Sequence, residues 1–245
     1  MRVLPVSRPR RRVMVGLLVA GTLLGAAAFP VTTRQGINYQ ITTHRLLLVN
    51  KAFGFVHRDG EYRRLAAQTT RGLSNDQARA EALLNWTKAH ISRTPKGRPI
   101  LDDHILNIIL RGYGAEDQMA DVFATLLTYA GVPAFWRVVS LRNREASLIL
   151  TFVQMDGRWT IWDVARGKAL KNEDGALADV AELSRNPGLA TLTMGSMTLR
   201  GHPYPQYLEE GLMPFEVPEI LRAEKQMPQK RLLFELKKVG RKLLA

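Results

Sequence analysis

The sequence predicts an α+β fold in which helices pack on an antiparallel sheet. Helix-period apolar patterns fill residues 75–130, and three short β-rich runs follow one another over 134–164. Asp156-Gly157 separates the last two runs and is a strong hairpin signal. Helices first and a meander afterwards is the order of an α+β chain.

The N-terminus is read first. Five arginines, Arg2, Arg8, Arg10, Arg11 and Arg12, precede a charge-free run from Val13 to Thr33. As one helix, rising about 1.5 Å per residue, that run matches the ~30 Å of a hydrocarbon core. The arginines stay cytoplasmic by the positive-inside rule, which places the rest of the chain outside the cytoplasm. The expectation is a membrane anchor over residues 1–33, single-pass in the inner membrane, with the domain in the periplasm. The competing reading is a signal peptide cleaved after Ala28, because Ala26-Ala27-Ala28 has the small-x-small form of a cleavage site. Gly21 and Gly25 have the small-xxx-small spacing that lets two helices approach closely.

Residues 34–57 alternate loosely through Ile37, Tyr39 and Ile41 and then Leu46 to Val49, which reads as one or two strands or an extended linker. Glu61 to Thr69 reads as a short helix. Ser74-Asn75-Asp76-Gln77 has the form of a capping box, opening a helix to about Ile91 with the stripe Ala80, Leu83, Leu84, Thr87 and Ile91. Pro95, Gly97 and Pro99 make a loop. Asp102 to Arg111 is a short helix broken by Gly112-Tyr113-Gly114. Asp117 to Ala130 is the clearest helix, with Met119, Val122, Phe123, Leu126, Leu127 and Ala130 at helical spacing and Gly131 and Pro133 as stop signals. The strands are Ala134–Leu141, Ser147–Met155 and Trp159–Val164. Asp179 to Ser184 is a short helix, residues 186–218 read as loop, and a final helix starts near Gln229. The domain reading is 34–185, with a core at about 75–167, then an extension over 186–245.

The chain of 245 residues is 46% hydrophobic and carries a formal net charge of +13. It has no cysteine. A disulfide framework, a thiolate zinc site, an iron–sulfur cluster, a lipoprotein anchor and a cysteine nucleophile are therefore excluded. The charge sits at the two ends, leaving residues 13–229 at only about +3. That distribution argues against a nucleic-acid partner, which selects a basic folded surface. Residues 229–245 place Leu232, Leu236, Val239 and Leu243 on one helical face with lysines and arginines on the other. Such a helix either docks on its own domain or lies on an anionic bilayer.

Gly112-Tyr113-Gly114-Ala115-Glu116-Asp117-Gln118-Met119-Ala120, then Leu126-Leu127, then Ala130-Gly131-Val132-Pro133-Ala134, resembles the core of the transglutaminase-like superfamily, which has a papain-like fold. Asp156-Gly157-Arg158-Trp159 followed by Asp163 resembles that family's D-G-x-W…D ending. The resemblance covers residues 75–167. It implies a catalytic cysteine at the start of a buried helix, a histidine on the strand before Asp156, and an aspartate that orients the histidine. In this sequence the cysteine position falls on Glu116, or on Asp117 if the turn is one residue longer. The histidine position falls on Ser147 or Leu148, and only Asp163 is kept. A cysteine–histidine pair works because histidine lowers the thiol pKa and then delivers the proton. With both gone, the resemblance implies a degenerate, non-catalytic member.

Replacement chemistry is the alternative. Asp102, Asp103, His104, Asn107, Glu116 and Asp117 cluster in sequence, and the acid–base set Asp103, His104, Glu116 and Asp117 would serve a non-cysteine hydrolase or lyase of an envelope glycan or peptide. The structural reading of the same residues is helix capping and macrodipole pairing. Asp163 could hold a loop by pairing with Arg137 or Arg166. Trp136, Trp159, Trp162 and Tyr113 are the candidate binding residues, because flat rings stack on glycans and peptides; each is also an ordinary core residue type. No Walker loop, GxGxxG or GxSxG is present, and no cofactor or metal is expected. The functional expectation is a membrane-anchored binding or scaffold module for an envelope protein or for polysaccharide assembly machinery.

Overall fold

A computed structural model describes residues 8–35, 42–101 and 104–244. Helix α1 (Arg8–Ala27) is followed by a hairpin of β1 (Pro30–Gln35) and β2 (Thr42–Leu47), then α2 (Leu48–Thr69) and α3 (Asp76–His90). The charge-free run Val13–Thr33 is therefore not one span. Its helical part, Val13–Ala27, rises about 22 Å, short of a ~30 Å hydrocarbon core, and β1 begins three residues later. Among the described residues no helix is long and apolar enough to cross a membrane.

Helix α2 corrects a second expectation. The sequence reads a short helix from Glu61, but α2 already starts at Leu48. Gly54 and Gly60 lower its intrinsic propensity, and it buries only Tyr62 and Ala66. The strand expected at Leu46–Val49 ends at Leu47, and Ile37, Tyr39 and Ile41 lie outside the described residues. In α3 the cap is Asn75, whose Oδ1 accepts from the Ala78 N–H at 2.7 Å. It sits one position later than a box led by Ser74 requires. The expected stripe Ala80, Leu83, Leu84, Thr87 and Ile91 is buried throughout.

Strand β3 (Ser92–Arg93) pairs in parallel with β4 (Tyr113–Gly114), across a loop and α4 (Ile105–Arg111). Gly112 ends α4 in the left-handed region with φ 74°, which suits glycine at a helix C-terminus. Helix α5 (Glu116–Tyr129) follows, and every residue from Asp117 to Thr128 is buried. It is a central helix rather than a surface one with a single apolar face.

The main sheet is an antiparallel meander of β5 (Ala134–Ser140), β6 (Ser147–Met155), β7 (Arg158–Asp163) and β8 (Lys168–Ala169); the first three are the expected strands, and the two-residue β8 was not expected. Asp156 and Gly157 turn the β6–β7 hairpin with φ 49° and 76°, the positive pair that a two-residue type I′ turn needs.

Strand alternation gives the sheet two buried faces. Ile149, Val153, Met155 and Trp162 face α2–α5 in the first core. Phe135, Leu148, Leu150, Phe152 and Ile161 face a second core. That second layer comes from α6 (Val180–Arg185), α7 (Ala190–Met194), a small hairpin of β9 (Thr198–Leu199) and β10 (His202–Pro203), and α8 (Tyr204–Gly211). Asp179 caps α6 in a reciprocal box with Glu182. The stretch 186–218, read as loop, contains α7 and α8, and α8 buries Tyr204, Tyr207 and Leu208. Helix α9 (Pro228–Leu244) ends the described chain.

Candidate functional site

The turn Gly112-Tyr113-Gly114-Ala115 delivers Glu116 to the first position of α5, with Ala115 at the cap. Gln118 reaches back, its Oε1 accepting from the Ala115 N–H at 3.1 Å, while its Nε2 donates to the Leu101 carbonyl at 2.7 Å. Gly114 leaves room beneath it, since a Cβ there would stand 2.8 Å from the Gln118 Oε1 and displace the amide from this position. Glu116 and Asp117 occupy the first helical turn, where the free N–H groups and the macrodipole favour acids.

Parallel pairing of β3 with β4 brings Arg93 beside that turn. Arg93 donates to Glu116 Oε1 at 2.7 Å. On the other side Arg166 Nη2 lies 3.7 Å from the same oxygen. Arg166 Nη1 also donates to Asp163 Oδ2 at 2.8 Å, and its backbone N–H donates to Asp163 Oδ1 at 3.1 Å. Tyr204 on α8 donates its hydroxyl to Asp163 Oδ2 at 3.0 Å. Of the two arginine partners expected for Asp163, Arg166 is the one used. Arg137 instead donates to the carbonyls of Gly211, Leu212 and Pro214 at the end of α8.

These bonds make a chain Arg93–Glu116–Arg166–Asp163–Tyr204. Asp163 and Tyr204 are fully buried. Burial pushes the Asp163 carboxyl above the ordinary carboxylate range, and the Arg166 charge and hydrogen bonds limit that rise. Burial, reinforced by the Asp163 charge, pushes the Tyr204 hydroxyl well above the ordinary phenol range. Leu148, at the position the resemblance gives to histidine, is 2% exposed and belongs to the second core. The one hydroxyl in this constellation beside a carboxylate, that of Tyr204, is fully buried with Asp163. Both carboxylates are held by guanidinium groups.

A family comparison fits this arrangement: the family model of the transglutaminase-like superfamily matches residues 63–164. Over this stretch the chain is similar to a transglutaminase-like domain. No curated protein matches the chain. Among solved structures, a proposed cysteine protease from Cytophaga hutchinsonii is 16% identical with a TM-score of 0.39, over 51% of this chain and 44% of that one. A proposed protease from Parabacteroides distasonis is 14% identical with a TM-score of 0.39, over 59% of this chain and 34% of that one. A transglutaminase is 12% identical with a TM-score of 0.37, over 66% of this chain and 49% of that one. The chain thus spans less than half the length of each, and likeness at these scores carries no argument.

The matched stretch does not gather the other candidate residues. Asp102 and Asp103 lie outside the described residues. His104 is half-buried at the N-terminus of α4, where its carbonyl accepts from Asn107 and Ile108 and its side chain makes no cap bond. Asp117 is buried, with Oδ1 accepting from the Gln118 N–H. Glu116 is committed to Arg93 and Arg166. Among the described residues no three His, Asp or Glu side chains group as metal ligands.

The aromatic residues are dispersed as well. Trp162 is fully buried in the first core, 5.8 Å from Phe123. Trp159 packs on the opposite face of the sheet with Phe135 and Phe215. Trp136 packs against the first core and donates its indole N–H to Asp121 Oδ1 at 3.0 Å. It lines a cleft of about 660 Å³ with Arg222, Lys225, Arg231, Phe234 and Lys238. Tyr113 is flanked by the guanidinium groups of Arg98 and Arg111 at 5.6 and 5.0 Å. The three tryptophans therefore do not form one groove.

Sequence reasoning missed Arg93, Gln118 and Tyr204. Arg93 and Tyr204 act from distant elements and carry no local motif. Gln118 was visible as a polar residue three positions after the cap.

Proposed function

We propose that this protein is a non-catalytic transglutaminase-like protein that acts as a binding or scaffold module at the cell envelope. One observation carries the reading: at the position of the nucleophile stands Glu116, tied by Arg93 and Arg166, and Arg166 is in turn tied to Asp163. An ion-pair chain there holds the turn and α5 in place. It leaves no group free to attack an acyl carbon, and Leu148 has no proton to move.

The N-terminal segment supports export. Arginines precede an uncharged helical stretch, Val13–Ala27, and Ala26-Ala27-Ala28 closes it. That length falls at the upper end of the apolar region of a targeting segment, about 7–15 residues. The segment carries the domain to the periplasmic side, either retained at the inner membrane or cleaved near Ala28. The partner there is an envelope protein or the machinery of an envelope polysaccharide.

The test is turnover by the purified full-length chain. Glutamine peptides with a primary amine, simple peptide amides and envelope glycan fragments are offered in turn. The expected result is no product above buffer. Turnover that disappears in Glu116→Ala would overturn the reading. Cell fractionation with mass measurement of the N-terminus tests the export reading separately.

A further inference from the structure

The C-terminal helix turns its leucines away from the domain. On α9 the side facing the protein is built from Arg231, Phe234, Glu235 and Lys238, which line the cleft beside Trp136. Arg231 stands over the Phe55 ring of α2 at 5.4 Å, and Lys225 over the Phe234 ring at 5.8 Å. Lys230 pairs with Glu224 and Arg241 with Glu219. Leu232, Leu233 and Leu236 stand on a different face and are 61%, 59% and 59% exposed. An amphipathic helix that docks on its own domain buries its apolar stripe, and this one does the reverse.

We infer that α9 lies on an anionic phospholipid surface, with Leu232, Leu233 and Leu236 entering the interface and the flanking cations meeting the headgroups. Charge selects this occupant. Residues 228–244 carry Lys230, Arg231, Lys237, Lys238, Arg241 and Lys242 against Glu235 alone. A second copy of the helix would bring like charge to like charge, whereas an anionic bilayer attracts each lysine and arginine. Leucines on one face with cations beside them is the pattern of an interfacial helix. Neighbouring α2 adds its own exposed residues, Val49, Phe53 and Val56, at i, i+4 and i+7. The inference stands on α9 and needs neither the export segment nor the non-catalytic reading.

Because the chain has no cysteine, Leu236→Cys gives a single site for an environment-sensitive fluorophore in the full-length protein. With phosphatidylglycerol-containing vesicles the label's emission moves to the blue and becomes shielded from an aqueous quencher. With phosphatidylcholine vesicles it does not. Replacing Lys237, which does not line the cleft, by Gln weakens the vesicle affinity read by the label roughly 5-fold, with an unchanged melting temperature. A label that stays in water with both vesicles overturns the inference. So does equal shielding by neutral vesicles, and so does shielding that grows with protein concentration in the absence of lipid, which would mean a second copy. Co-sedimentation with neutral vesicles reads the N-terminal segment, so its failure is scored apart from the label.

Discussion

Arg166 binds Asp163 through both its side chain and its backbone, with Nη1 at 2.8 Å from Oδ2 and the N–H at 3.1 Å from Oδ1. The same guanidinium group reaches Glu116. Two carboxylates that begin on separate elements, the first turn of α5 and the end of β7, are thereby joined through one side chain. These contacts tie the start of the helix to the end of the strand.

Removing that cation leaves a buried acid alone. Arg166→Ala is expected to destabilise the fold by about 3–5 kcal/mol, the cost of stripping one partner from a buried pair. Arg93→Ala is expected to cost under ~1 kcal/mol, because Arg93 is 58% exposed and water screens such pairs. Denaturant unfolding of the two variants measures the contrast, and equal losses would refute the division of labour.

A thiol at position 116 would sit at a helix N-terminus between two guanidinium groups, and both features lower a thiol pKa. Glu116→Cys is therefore expected to be alkylated by iodoacetamide at neutral pH several-fold faster than free cysteine, and more slowly once Arg93 is also replaced by Ala. It is not expected to turn over amides, since Leu148 supplies no base. Acyl-enzyme accumulation in this variant would contradict that account.

Helix α8 rests directly on the sheet. A Cβ at Gly211 would meet the Ser140 carbonyl oxygen at 2.3 Å and the Ser140 nitrogen at 2.8 Å. Backbone atoms cannot swing aside as a side chain does. Gly211→Ala is expected to cost about 1–3 kcal/mol through overpacking, read as a lower midpoint of thermal or denaturant unfolding. An unchanged midpoint would show that α8 can shift freely.

Burial holds the hydroxyls of Tyr62, Tyr129 and Tyr204 above the ordinary phenol range. The folded state thus binds these protons more tightly than the unfolded chain, whose tyrosines titrate near pH 10. The resulting stability is fully present below about pH 10 and is lost as pH rises beyond it. Absorbance titration of the native protein should show these three phenols ionising only with unfolding. Tyr204→Phe should flatten the fall of stability in alkali by about one proton. A phenolate signal from Tyr204 in the folded protein near pH 10 would exclude its buried bond to Asp163.

The sequence showed the fold wherever pattern was local. The stripe of α3, the stop signals of α5 and the Asp156-Gly157 turn each fix an element within a few residues of chain. Helix α2 was shortened because Gly54 and Gly60 hide a helix that its neighbours stabilise. Helix α8 was hidden among prolines, although Pro205 lies in its first turn, where a missing N–H costs nothing. At the site, Glu116 and Asp163 were visible because a motif names their positions. Arg93 and Tyr204 were not, since only the β3–β4 pairing and the docking of α8 bring them there. The three tryptophans were spread over both faces of the sheet by strand alternation, which spacing alone does not rule out before the strands are placed in register.

The second core layer bears on how this chain can be cut. Phe135, Leu148, Leu150, Phe152 and Ile161 are roofed by residues that follow position 164, among them Leu170, Leu183, Tyr204, Tyr207 and Leu221. A fragment trimmed to the matched stretch 63–164 would present one whole side of its sheet bare to water. Such a fragment is expected to aggregate. The recognisable family segment is therefore smaller than the unit that folds.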